Sequence, residues 1–144
     1  MSVNFMYMMI PLHMISLVNK HFTGKTRLQK LVFLSQEEFN AKFDYEFKPA
    51  TFGPLSYRLL DSVEELKKLD FLKEIQDSTG LGNKVYKYEI TSEGRKVLHM
   101  AIESKIIPES ILHANQNVMK EYGDMPHVEL LDYVHDKYPD YLDE

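Results

Sequence analysis

Residues 54–96 read PLSYRLLDSVEELKKLDFLKEIQDSTGLGNKVYKYEITSEGRK. In the first part, Leu55, Leu59, Leu60, Val63, Leu66 and Leu69 recur at helical spacing, and Arg58, Asp61, Ser62, Glu65 and Lys68 fall on the other side. That is the pattern of an amphipathic helix with one buried face. A strand candidate follows, FLKEIQD, then a turn, STGLGN, then a second strand candidate, KVYKYEIT. In the second strand Tyr86, Tyr88 and Ile90 alternate with Val85, Lys87 and Glu89, as a half-buried strand requires. The Gly80-Leu81-Gly82-Asn83 turn supplies residues tolerant of positive φ. Thr91 is suited to cap the next helix, with Glu93 in its first turn. Helix, hairpin and helix in this order predict an α+β protein with a winged helix-turn-helix core, a short β-hairpin wing and additional C-terminal helices.

On the N-terminal side, residues 26–42 read as a helix at the centre of the core. Leu28, Leu31, Val32, Ser35 and Phe39 share a face that Phe33 and Leu34 widen, and Thr26 and Gln29 have the spacing of a capping box. An earlier helix starts at Pro11, carries Leu12, Ile15, Leu17, Val18 and Phe22, and ends at Gly24. Between the two central helices lies FDYEFKPATFGPLS, in which Phe43, Tyr45 and Phe47 alternate with charged residues. This predicts a short strand stopped by Pro49, and Gly53-Pro54 launches the next helix. On the C-terminal side, one helix runs to about Lys105, another from Pro108 to about Tyr122, and a last one from Pro126. The apolar face of the last is Val128, Leu131 and Val134, with Leu130 and Tyr138 beside it. Residues 1–144 are thus read as a single domain, with a core over 11–105 and a helical extension over 106–144.

A chain of 144 residues with 44% hydrophobic and 27% charged content is of a size and composition that builds one real core. It has no cysteine, which excludes disulfides and thiolate metal sites and suits a reducing, cytoplasmic setting. The apolar run from Phe5 to Val18 is too short for a membrane span and has no basic flank, so it reads as a buried helix. The net charge of −5 is uneven: residues 1–100 carry about +2 and residues 101–144 carry −7. Any nucleic-acid contact therefore has to come from local basic patches.

Several short patterns bear on chemistry. Gly24-Lys25-Thr26 resembles the end of a phosphate-binding loop, but Asn19 stands where the first glycine belongs and a helix precedes it. Of the six histidines no two are spaced i,i+4, and no Ser–His–Asp or Cys–His set is suggested. No catalytic residue, metal ligand or cofactor is expected. Lys25, Arg27 and Lys30 cluster at the start of the second helix, where an anion would offset their conflict with the helix dipole. Lying free in water is the simpler alternative. The third helix offers Ser56, Tyr57, Arg58, Ser62 and Lys68 to a groove, and the hairpin offers Lys84 and Lys87 to phosphates. Asp61, Glu64 and Glu65 in the same helix oppose such a contact.

The run KVYKYEITSEGRKVL resembles the wing strand and following helix of PadR- and MarR-type winged-helix regulators, through Tyr88, Ile90, Thr91, Gly94 and Arg95. GKTRLQKLVFL, YEFKPATFGPLS and ELLDYVHDKYPDY are similar to segments of a YwgA-like family of small prokaryotic proteins and, more distantly, of Panacea domains in phage-associated and antitoxin proteins. The matching positions are Leu28, Gln29, Lys30 and Leu31, then Gly53 and Pro54; Phe52 stands where a tyrosine is usual, so a role resting on that hydroxyl does not carry over. The resemblance implies a winged-helix α+β domain, and the Panacea likeness implies a regulatory or neutralising protein partner. Two functions are expected from these readings. One is a transcriptional regulator binding double-stranded DNA, possible as a homodimer, through Lys25, Arg27, Lys30, Ser56, Tyr57, Arg58, Ser62, Lys68, Lys84 and Lys87. The other is a non-enzymatic protein-interaction module of the antitoxin or adaptor kind.

Overall fold

The computed structural model describes residues 3–78, 82 and 84–143. Its elements are α1 (Val3–Ser16), β1 (Phe22–Thr23), α2 (Lys25–Glu38), α3 (Tyr57–Lys68), β2 (Leu72–Ser78), β3 (Lys84–Ile90), α4 (Ser92–Glu103), α5 (Glu109–Tyr122) and α6 (His127–Lys137), followed by a 3₁₀ turn, Pro139–Tyr141. The fold is mixed α+β: six helices among the described residues and a three-stranded antiparallel sheet in the order β1-β3-β2. The hairpin pairs Leu72 with Ile90 through Ser78 with Lys84, and β1 pairs Phe22 with Tyr88. Of the expected turn, Gly80, Leu81 and Asn83 lie outside the described residues.

Two helices are buried over most of their circumference. In α1, Met9, Ile10, Leu12, Met14 and Ile15 are inaccessible to solvent; in α2, the consecutive Leu31, Val32, Phe33 and Leu34 are all at 0% exposure. A helix that is apolar on every side belongs inside a core. α1 packs on α3, α4, α5 and β3, and α2 packs on α5 and α6. One hydrophobic cluster draws residues from all six helices and from the sheet.

Pro11 is not the start of a helix but lies within α1. It has no N–H for the carbonyl of Tyr7 one turn earlier. The Tyr45 hydroxyl donates to that carbonyl instead, which satisfies a group that burial would otherwise make costly. Phe22, expected within this first helix, is in β1, where its side chain is buried. This two-residue strand carries too little sequence for alternation to reveal it.

The segment from Phe39 to Ser56 also departs from expectation. Its burial alternates as predicted, with Phe43 and Tyr45 inside and Asp44 and Glu46 outside, but no strand ladder forms there. Gln36 substitutes for a neighbouring strand: its Nε2 donates to the Tyr45 carbonyl at 3.1 Å, and its Oε1 accepts from the Tyr45 N–H at 3.1 Å.

Later elements follow the sequence closely. Ser56 caps α3, its Oγ accepting from the Leu59 N–H. Thr91 caps α4, its Oγ1 accepting from the Gly94 N–H at 2.9 Å. A β-carbon on Gly94 would stand 2.1 Å from the Phe71 carbonyl oxygen, so the close approach of α4 to the turn before β2 requires glycine. In α6 the buried residues are Leu130 and Val134, while Val128, expected on the inner face, is 68% exposed. The apolar stripe of α5 and α6 is covered within the chain by α2.

The C-terminal helices are also tied by a carboxylate. Glu38, the last residue of α2, accepts hydrogen bonds from the hydroxyls of Tyr122 (2.6 Å), Tyr133 (2.8 Å) and Tyr138 (2.6 Å), and Lys137 lies 3.0 Å away. Burial raises the carboxyl's pKa, but the hydrogen bonds outweigh it and leave the pKa below its ordinary value. A depressed carboxylate stabilises the fold above its unfolded pKa and loses that contribution as pH falls through the folded value. In urea titrations, Glu38→Gln is therefore less stable than the wild type at neutral pH, and the gap closes progressively below pH 4.5.

Candidate functional site

The residues shared by the sequence patterns LQKL and FGP meet in space. Gln29 is 3% exposed and forms a two-bond clamp on the backbone of Ser56. Its Nε2 donates to the Ser56 carbonyl at 3.1 Å, and its Oε1 accepts from the Ser56 N–H at 2.8 Å. It makes no capping box, and no side chain caps α2. Lys30, at 2% exposure, donates from Nζ to the Pro54 carbonyl at 3.2 Å. Gly53 takes φ 103° and lies so close that a β-carbon there would stand 3.1 Å from Lys30 Cε and 3.6 Å from the His135 ring. Removing any one of these groups leaves a buried polar partner unpaired, at about 1–3 kcal/mol each.

The clamp holds out a loop whose far side is open. Phe52 is 58% and Tyr57 62% exposed, whereas the nearby Tyr45 and Phe47 pack inward on Tyr7 and Phe33. Beneath Phe52 is a pocket of about 330 Å³, lined largely by apolar surface from Ala50, Leu55 and Leu60, closed by Gln29, Lys30 and Gly53, and edged by Lys25 and Thr26. The exposed face of α3 beside it carries Asp61, Glu64 and Glu65.

The ten residues expected to touch nucleic acid are dispersed. Lys25 opens α2, its ammonium 4.1 Å from the centre of the Tyr86 ring. Lys84 begins β3, and both line one cleft together with Arg27. Arg27 is committed to the end of α5, its Nη2 donating to the carbonyls of Gly123 (2.6 Å) and Tyr122 (3.3 Å). Arg58 stacks over Tyr7 at 3.9 Å on the α1 side, and Lys25 meets α3 on another side, beside Leu60, Asp61 and Glu64. Lys87 is paired with Asp77 at 3.1 Å; Tyr57 and Lys68 are exposed.

Three expectations are corrected. Lys30, Ser56 and Ser62 are buried rather than presented to solvent: Lys30 fastens Pro54, Ser56 caps α3, and the Ser62 Oγ donates to the Arg58 carbonyl at 2.9 Å. In each case a backbone group takes the polar atom, within one turn for Ser56 and Ser62 and across 24 residues for Lys30. Gln29 and Gln36 were the structural signal to be read: two long amides at i,i+7 on a helix rich in apolar residues, each holding a distant backbone.

Burial lowers the pKa of Lys30 from 10.5 to about 8. The folded lysine binds its proton less tightly than the unfolded one, so stability rises with pH between those values. The gain is on the order of 2–3 kcal/mol. Wild-type stability should climb from pH 8 toward pH 10, and Lys30→Met should abolish that climb in denaturant titrations at each pH.

No family model matches the chain. It is similar to the "Uncharacterized protein YwgA" of Bacillus subtilis (strain 168), with 33% identity over 81 residues. The match takes in 54% of this chain and 46% of that protein, so it spans less than half of the relative's length. Among the described residues, no helix is long and apolar enough to cross a membrane.

Proposed function

We propose that this protein is a non-enzymatic protein-interaction module built on a winged-helix arrangement, with the β2–β3 hairpin as wing. Support for the arrangement comes from the order helix, strand, helix, helix, hairpin, in which the lone strand β1 pairs with the second strand of the hairpin. The functional reading is carried by one observation: the exposed Phe52 lines a largely apolar pocket that reaches Leu60 of α3, a helix that also exposes Tyr57 and the carboxylates Asp61, Glu64 and Glu65. Large exposed aromatics beside a pocket are the usual anchors of protein interfaces. The carboxylates Asp61, Glu64 and Glu65 occupy the helix that a DNA reader presents to phosphates, where they repel a polyanion and attract a basic partner. The fitting occupant is therefore a protein segment with an apolar side chain for the pocket and Lys or Arg beside it. The likeness to Panacea domains points toward the same class of partner.

A second reading, the DNA-binding regulator, is favoured by the meeting of Lys25 and Lys84 on one cleft. It predicts binding to mixed duplexes whose log affinity falls linearly with log salt, by about 0.9 per phosphate contact.

The two readings separate on variants. A partner recovered with the wild type and then purified is titrated against each variant by calorimetry. Phe52→Asp should weaken it at least tenfold, Lys84→Glu should leave it within twofold, and no duplex should bind at low salt. Duplex binding abolished by Lys84→Glu, together with an unaffected Phe52→Asp, overturns the docking surface.

A further inference from the structure

The cleft that receives Lys25 and Lys84 borders the Phe52 pocket, with which it shares Lys25 and Thr26, but it has a different character. It is bounded by the end of the α1–β1 connection, β1, the start of α2, the start of β3 and the end of α5, and its volume is about 740 Å³. That is within the range of about 300–1,000 Å³ common to small-molecule sites.

Its lining is of two kinds. Lys25, Arg27, Lys84, His21 and His127 supply basic side chains from both ends of the chain, and Thr26 adds a hydroxyl. Asp124 is the carboxylate among the lining residues. Val18, Phe22, Val85, Tyr86 and Met119 supply apolar and aromatic surface. Arg27 is fixed in place by its two bonds to the α5 terminus, so its charge is held at the cleft without a flexible stem. The local field is positive: burial and then the charges of Arg27 and Lys30 hold His127 below its ordinary pKa. The first turn of α2 has no carboxylate to offset this charge.

We propose that this cleft binds a phosphate monoester carried on a flat or apolar body, the class to which mononucleotides belong. The dianionic phosphate is matched to Lys25, Lys84 and the Thr26 hydroxyl, and the body to the Tyr86 ring and its apolar neighbours. A plain carboxylate carries half the charge, and a bare phosphate leaves the aromatic surface uncovered. The assignment does not rest on the docking surface at Phe52.

The test is a two-dimensional NMR titration at fixed ionic strength with three probes: inorganic phosphate, adenosine monophosphate and adenosine. Adenosine monophosphate should shift the amides of residues 25–27 and 84–86 saturably. Inorganic phosphate should shift the same amides with at least tenfold weaker affinity, and adenosine should be weaker still. The double variant Lys25→Gln, Lys84→Gln should bind the monophosphate at least tenfold more weakly with an unchanged unfolding midpoint. The pKa of His127 should rise on saturation, because the bound dianion offsets the charges of Arg27 and Lys30 that help to lower it. Phe52→Asp should change none of this. Absence of saturable shifts at millimolar probe overturns the proposal, as does equal affinity in the double variant. Shifts produced by a short DNA duplex but by neither phosphate nor the monophosphate also overturn it, and would make the cleft a nucleic-acid backbone contact.

Discussion

The fold depends on how the backbone between α2 and α3 is satisfied. The connection from Phe39 to Ser56 is longer than the ~12–15 residues that irregular loops usually reach, and it runs across the core without a strand ladder. Buried backbone groups need partners, and here helix side chains supply them. Gln36 holds Tyr45, Gln29 holds Ser56, and Lys30 holds Pro54. Each glutamine presents one donor and one acceptor to a single residue, which is what a neighbouring strand would present. The arrangement needs α2 to be both buried and polar at chosen points, which explains two polar exceptions to its apolar surface, Gln29 and Lys30, both below 4% exposure.

From that constraint much else follows. Fixing Tyr45 places its hydroxyl on the Tyr7 carbonyl that Pro11 leaves without a donor, so α1 accommodates a proline in its interior. Fixing Ser56 sets the start of α3, and with it the direction of the acidic face and the exposure of Tyr57. At the other end of α2, Glu38 gathers three tyrosine hydroxyls and so attaches α5, α6 and the final turn to the same helix. α2 thereby carries both halves of the chain, and the C-terminal stripe that looks free in the sequence is consumed within the molecule.

What the sequence disclosed depended on repetition. The third helix, the hairpin and the cap at Thr91 were legible because periodicity and cap chemistry repeat over many residues, whereas Ser56 was read as a groove contact and is the cap of α3. Phe22–Thr23 is too short to show any period, and Pro11 carries a prior for a helix start that tertiary packing overrode. Gln29 was read as a local cap because its spacing from Thr26 fits one; its real partner lies 27 residues away, and no local rule reaches so far. The candidate site was legible only in part. Tyr57 was read as a groove contact and Phe52 as a replaced tyrosine, and only exposure set the two apart from the inward Tyr45 and Phe47. Basic residues grouped in sequence at 25–30 diverge in space, since successive helical positions point to different sides: Lys30 inward, Arg27 to α5, Lys25 to the cleft.

The proposed docking surface requires that α2 hold the loop before α3 rigidly. Native-state hydrogen exchange of the Ser56 amide reads that claim directly, because this N–H is donated to Gln29 Oε1 alone among the side-chain contacts described for it. The clamp predicts that the Ser56 amide exchanges only through global unfolding in the wild type, and that in Gln29→Ala it exchanges at least a hundredfold faster while core amides of α2 such as Phe33 stay protected. Rapid exchange at Ser56 in the wild type, at the rate of an exposed loop, would contradict it.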